Sequence, residues 1–277
     1  MIDGASLANA ALLGTIEGLT EFLPVSGAAH LAVAGAFLGL TGERLRTFEC
    51  AIQFGAAVAM IVTCIRHFGL ARVRGLPRTD RARLAMIFAV ALLPTLLVAL
   101  FADRALQGYF LSGPSMVVLL FLGGAVMLLA EARSKASARV QTLDGLGSVD
   151  AFKIGLLQCA GFAALGLGRS EATIIGGLML GLSRPAATEF SVLLSIPTLL
   201  VSSATGLSQG TQLLAAIELL PVFIGAGCAF LSAWASVEWL LRWVVAGSYV
   251  PFAWYRFSVG FVLVATLISG IVKWTDY

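Results

Sequence analysis

The chain has 277 residues, of which 59% are hydrophobic and only 12% charged, whereas a soluble domain carries roughly 25% charged residues. A soluble globular protein is therefore excluded and an all-α integral membrane protein expected. The net charge of +3 is small and gathered in two connectors, Arg66 to Arg83 and Arg133 to Lys153, which leaves a nucleic-acid partner without support.

The first element is an apolar stretch at about 6–40, interrupted by Gly-Thr-Ile-Glu-Gly-Leu-Thr-Glu-Phe-Leu-Pro-Val-Ser-Gly-Ala-Ala-His at 14–30. It is not a cleavable signal, because it lacks a basic n-region and carries Asp3, Glu17 and Glu21. Pro24 divides it into halves too short to span a bilayer, which predicts a re-entrant helical hairpin with Val25 to His30 at its tip. Six apolar runs approach the roughly 20 residues of a transmembrane helix: about 47–65, 84–102, 115–131, 186–206, 213–235 and 254–272. A second broken segment, at about 152–183, reads as another re-entrant hairpin, with Leu165-Gly-Leu-Gly-Arg-Ser-Glu-Ala-Thr173 at its tip. Cys50, Cys64, Cys159 and Cys228 lie inside apolar runs at no metal-ligand or disulfide spacing and read as packing residues.

The bias of Lys and Arg toward the cytoplasm places both basic connectors there. The first hairpin then opens outward, the second opens to the cytoplasm, both termini lie outside, and Arg184, Arg242 and Arg256 fall on the cytoplasmic side. Trp239 and Trp243, and Trp254 with Tyr255, read as an interfacial aromatic belt. Sliding the chain by 141 residues puts Gly14 on Gly155, Glu17 on Gln158 and Gly27 on Gly168, and Phe48-Glu49 falls near Thr188-Glu189 at an offset of 140. This predicts a single membrane domain, 1–277, of inverted-topology repeats: a first repeat at 1–131, a cytoplasmic connector at 132–151 and a second repeat at 152–277, with about six transmembrane helices and two re-entrant helical hairpins. Glycine-rich helices pack closely within a chain or in a homodimer and do not choose between them.

Ionisable groups at membrane depth cost roughly 2.5–3.5 kcal/mol each and so mark function. Glu17 and Glu21, four residues apart, share a helix face, where like charges repel unless a proton or a divalent cation (Mg or Ca) intervenes; the alternative is a pair of helix-packing hydrogen bonds. Backbone N–H groups at the first tip favour an anion, and His30 there is a general base, a phosphate ligand or a packing residue. Arg169 offers planar donors suited to phosphate, or a salt bridge to Glu171 or to a glutamate of the first tip. Ser170 and Thr173 either add phosphate donors or cap helices. Carboxylates facing an arginine fit a phosphate-bearing lipid together with a metal.

The run Glu17-Gly-Leu-Thr-Glu21-Phe-Leu-Pro-Val-Ser26 followed by His30-Leu closely resembles the first signature of the undecaprenyl-diphosphate phosphatase (bacitracin-resistance protein) family. Similarity continues through Gln53-Phe-Gly, the Gly168-Arg-Ser-Glu-Ala-Thr-Ile174 segment and Gly-Gly-Leu-Met-Leu-Gly-Leu-Ser-Arg184 with Ala187-Thr-Glu-Phe-Ser191, so it covers nearly the whole chain. The resemblance implies a multi-pass phosphatase of the bacterial inner membrane with a periplasm-facing site. It would hydrolyse the polyprenyl diphosphate lipid undecaprenyl diphosphate to undecaprenyl phosphate and phosphate, recycling the carrier lipid for cell-wall synthesis. By position it implies that Glu17 and Glu21 hold the divalent cation, His30 is the base and Arg169 binds phosphate. Where the family reads Pro-Val-Ser-Ser-Thr-Gly-His, the favoured nucleophile is the second serine; here Gly27, Ala28 and Ala29 follow Ser26. In the second signature, usually Pro-Gly-x-Ser-Arg-Ser-Gly, Leu165, Gly168 and Glu171 replace proline, serine and glycine. Three mechanisms follow: Ser26 attacks, a metal-bound water attacks, or the site binds or transports a lipid phosphate without cleaving it. Glu171 is expected to oppose phosphate or to pair Arg169 off.

Overall fold

The computed structural model describes residues 5–40, 42–69, 78–101, 113–136, 138–163, 168–209 and 219–269. Among them two short helices, α1 (Ala5–Glu21) and α2 (Gly27–Phe37), are followed by three long ones, α3 (Gly42–Cys64), α4 (Arg78–Phe101) and α5 (Gly113–Ala136). The order then recurs: α6 (Ser148–Ala163) and α7 (Arg169–Met179) are short, and α8 (Arg184–Gln209), α9 (Leu219–Ala246) and α10 (Val250–Ser269) are long. Six of these helices, α3, α4, α5, α8, α9 and α10, are long and apolar enough to cross a membrane, in agreement with the six expected runs. The protein is an all-α, multi-pass membrane protein.

The helix pairs show what holds it together. α1 packs along α9 and α6 along α4, so the first short helix of each half leans on the second long helix of the other. α3 packs with α8, and α5 with α10. Exchanging the halves maps these pairs onto themselves. Lipid tails are as apolar as leucine, so close packing and interhelical hydrogen bonds drive association more than burial does. Small residues serve that purpose at related positions: a Cβ on Gly14 would collide with the Gly225 carbonyl of α9, and one on Gly155 with the Ala91 carbonyl of α4. These two glycines are the ones that the 141-residue offset superimposes. α1 is further fixed by Ser236, whose Oγ donates to the Gly18 carbonyl at 3.0 Å. Large apolar side chains such as Val118, Leu129, Phe223, Phe261 and Ile268 are exposed on the outer helix faces, as lipid contact requires.

Two helix breaks position the site. α1 stops at Glu21 ahead of Pro24, and α2 starts after Ser26, whose backbone is left-handed at φ 68° and ψ 77°. Phe22 is buried with Ala56, Met60 and Val192, and Val25 with Ile174, Ile175 and Leu178 of α7. The first turn is thereby anchored on both sides and brought against the start of α7. Leu165 lies outside the described residues.

Candidate active site

Glu17 and Glu21 occupy the last turn and a half of α1, and Arg169 opens α7. The Arg169 guanidinium pairs with the Glu21 carboxylate through Nη2 and Oε1, and Ser170 Oγ donates to the Glu21 carbonyl at 2.8 Å. The start of α7 therefore clasps the end of α1. Glu17 is 1% exposed, with Gln53 of α3 and Glu21 as polar neighbours. Two buried polar atoms here lack a protein partner: Glu17 Oε1 and Arg169 Nη1. An unsatisfied buried group costs about 1–3 kcal/mol, and more when charged. One is an acceptor and the other a donor, so a ligand carrying both a cation and an anionic oxygen satisfies each.

The hydroxyls expected to face phosphate are turned inward. A hydroxyl has one proton to donate, and Ser170 gives its proton to Glu21. Thr173 Oγ1 reaches the Arg169 carbonyl at 3.0 Å, the Ser170 carbonyl at 3.1 Å and Ser191 Oγ at 2.6 Å. Both side chains fasten α7 to its surroundings in this conformation.

At the first tip His30 lies one turn into α2. Its Nδ1 is 2.8 Å from the Ser26 carbonyl and its Nε2 is 2.7 Å from the Tyr255 hydroxyl of α10, with the two rings stacked 5.6 Å apart at 3°. A carbonyl only accepts, so Nδ1 carries the proton and the basic lone pair sits on Nε2. Ser26 meets His30 through its carbonyl, not through a hydroxyl-to-imidazole bond, so this is not the geometry of an activated serine. At Gly27 a Cβ would stand 3.0 Å from Thr20 Oγ1, a tight fit against a hydroxyl already donated to the Ile16 carbonyl at 2.7 Å.

Glu171 departs from the expected pairing. It does not take Arg169 from the site; its Oε1 pairs with Arg256, both side chains being fully buried, while Oε2 accepts the Gly168 N–H at 2.9 Å. Arg256 also donates to the Leu119 and Leu120 carbonyls of α5. Arg256, expected among the cytoplasmic charges, is fully buried on the second tip, and Tyr255, expected in an aromatic belt, is 45% exposed and also reaches His30 of the first tip. Only the Tyr-Arg dipeptide inside an apolar run signals this, since an arginine there needs a buried partner.

Among the described residues no three His, Cys, Asp or Glu side chains converge in a metal-binding cluster. Two carboxylates remain, one with an unpartnered buried oxygen. That set suits Mg2+, which binds through one or two carboxylates and leaves its other positions to water and substrate phosphate. It does not by itself make the cage of six to eight oxygens typical of Ca2+.

Six helices long and apolar enough to cross a membrane, together with two helical tips joined by an acid–arginine pair, define a multi-pass membrane protein with a buried charged site. The chain belongs to the bacitracin resistance protein BacA family, whose sequence profile matches residues 10–262. It is 42% identical to the undecaprenyl-diphosphatase of Verminephrobacter eiseniae over 277 residues, covering 99% of this chain and 100% of that one. It is 40% identical to the undecaprenyl-diphosphatase of Acidovorax ebreus with the same coverage. Undecaprenyl-diphosphatase 1 of Paraburkholderia xenovorans is also 40% identical, over 281 residues and the same shares of each chain.

Proposed function

We propose that this protein hydrolyses undecaprenyl diphosphate to undecaprenyl phosphate and inorganic phosphate in the bacterial inner membrane, from a site open to the periplasm. The observation that carries the reading is the pair of unpartnered buried atoms, Glu17 Oε1 and Arg169 Nη1, on either side of the Glu21–Arg169 ion pair. Full-length similarity to proteins named undecaprenyl-diphosphatase favours cleavage over non-hydrolytic binding or transport.

Glu17 and Glu21 are the residues that would hold a divalent cation. When bound, it would neutralise diphosphate charge and polarise a phosphoryl oxygen. Arg169 Nη1 donates to a phosphoryl oxygen while Glu21 fixes the guanidinium plane. His30 Nε2 takes the proton of an attacking water once the Tyr255 hydroxyl, which holds that lone pair in this conformation, releases it to the water; the water oxygen bonds to the terminal phosphorus as the bond from that phosphorus to the bridging oxygen breaks. Undecaprenyl phosphate leaves with that bridging oxygen. A second reading, attack by Ser26 Oγ, is favoured by the left-handed backbone at Ser26, the kind of conformation that collects at functional sites.

Phosphate release by purified protein, measured with Mg2+ and with chelator beside Ser26→Gly, tests both readings. Glycine tolerates the positive φ and keeps the carbonyl that holds His30. Mg2+-dependent release persisting within about tenfold in Ser26→Gly is expected for water attack. A loss of roughly 100-fold or more, of the size of a positioned catalytic group, assigns the nucleophile to Ser26, and no release by folded wild-type protein rejects the phosphatase. Arg169→Lys is expected to cut kcat/KM by at least about tenfold, because a point charge cannot pair with Glu21 and span a phosphate at once; equal activity would give Arg169 a purely structural role.

A further inference from the structure

We infer that Gln53 of α3, held by Ser202 of α8, is a positioning residue for Glu17: its amide occupies one carboxylate oxygen and leaves the other, Oε1, as the one presented to a divalent cation. This rests on Glu17 and Glu21 as the carboxylates of the phosphatase's cation site.

Glu17 Oε1 is buried without a partner, while the Gln53 side chain is hydrogen-bonded to the same carboxylate. The bond therefore falls on Oε2. An ionised carboxylate only accepts, so Gln53 donates through Nε2 and its own oxygen points away. That oxygen accepts from Ser202 Oγ at 3.5 Å. The two contacts fix which end of the amide meets Glu17, and the oxygen left over is the one a ligand must satisfy. Ser202 lies 149 residues from Gln53, so no local motif reveals it. The amide is 7% exposed and sits where two helices touch on either side of it. One turn earlier Cys50 lies against Gly206 of α8, where a Cβ would collide with its Sγ; one turn later Ala56 and Ala57 share a buried cluster with Leu199 of α8. The spacing of α3 and α8 is thus set around Gln53, as a precise site requires. Partners that orient a metal ligand without touching the metal weigh roughly 10–100-fold in affinity or activity.

Mn2+, which takes the same oxygen ligands as Mg2+, gives a readout independent of turnover. Its binding to detergent-solubilised full-length protein, followed by loss of the free-ion EPR signal, is expected to weaken by about tenfold in Gln53→Met. Methionine keeps the length of the side chain and removes the amide. Ser202→Ala, which leaves the amide free to turn, should weaken binding by about threefold, the low end for a neutral hydrogen bond. In both proteins the Mg2+ concentration for half-maximal phosphate release should rise in step, with KM for undecaprenyl diphosphate within about twofold because the lipid keeps its own contacts. Mn2+ affinity unchanged in either variant would overturn the inference and leave these side chains as packing residues, even if thermal stability falls; so would a folded wild-type protein that binds no Mn2+. If Gln53→Met does not fold, Ser202→Ala decides alone. Weakened Mn2+ binding in variants of a protein that releases no phosphate would uphold the positioning and reject the reaction instead.

Discussion

Arg256→Met is expected to destabilise the folded protein by about 3–5 kcal/mol, the cost of removing one partner from a buried ion pair. Arg256 and Glu171 are both fully buried, and the glutamate would be left with the Gly168 N–H as its remaining contact among those described above. Methionine replaces most of the packing volume but none of the donors to Glu171, Leu119 O and Leu120 O. The loss should appear as a lower thermal midpoint in detergent and a lower yield of monodisperse protein. Glu171→Gly in the same chain should return most of it, because deleting both members of a buried pair is far less costly than deleting one. If Arg256→Met melts like wild type, or if the second substitution recovers nothing, the two residues are not coupled. The coupling explains the carboxylate at the second tip. Glu171 is not a charge set against the phosphate; it is tied to α10 and also braces the N-terminus of α7, where a negative charge is favourable.

Most of the fold was legible because it is written in run lengths. Six apolar stretches and a proline between the first two short helices fix spans and a break without reference to tertiary contacts. Gly14 and Gly155, which the 141-residue offset superimposes, each let another helix backbone approach where a Cβ would clash. The candidate site was legible in its motif residues, Glu17, Glu21 and Arg169, which the structure brings together, and His30, which it places across the first turn from the two glutamates. Their pairing was not. Whether Arg169 meets Glu171 or Glu21 depends on which tip faces which, and a sequence offset does not supply that. Nor do residue types reveal that the Ser170 and Thr173 protons are already spent on backbone or neighbouring hydroxyls. The burial of Arg256 was hidden for a related reason: at the start of an apolar run an arginine looks like an interfacial anchor, and only packing of α10 against α5 encloses it.

Glu21→Gln is expected to abolish most phosphate release, by roughly 100-fold or more in kcat, the scale on which a preorganised electrostatic group acts. Its folded yield should stay near wild type. Glutamine matches glutamate in shape and its carbonyl oxygen still accepts from Arg169, so the clasp between α1 and α7 persists, helped by the Ser170 bond to the residue-21 carbonyl. What disappears is the negative charge. Arg169, no longer neutralised by an ion pair, should hold the diphosphate at least as tightly, while the site loses one of the two carboxylates that would hold a divalent cation. Binding and turnover therefore move in opposite directions: KM unchanged or lower, kcat collapsed. That split marks a group whose contribution is made in the transition state rather than in the bound ground state. A rise in KM with kcat intact would instead make Glu21 a plain substrate contact, and wild-type kinetics would leave the acid–arginine pair as a packing device of the two tips.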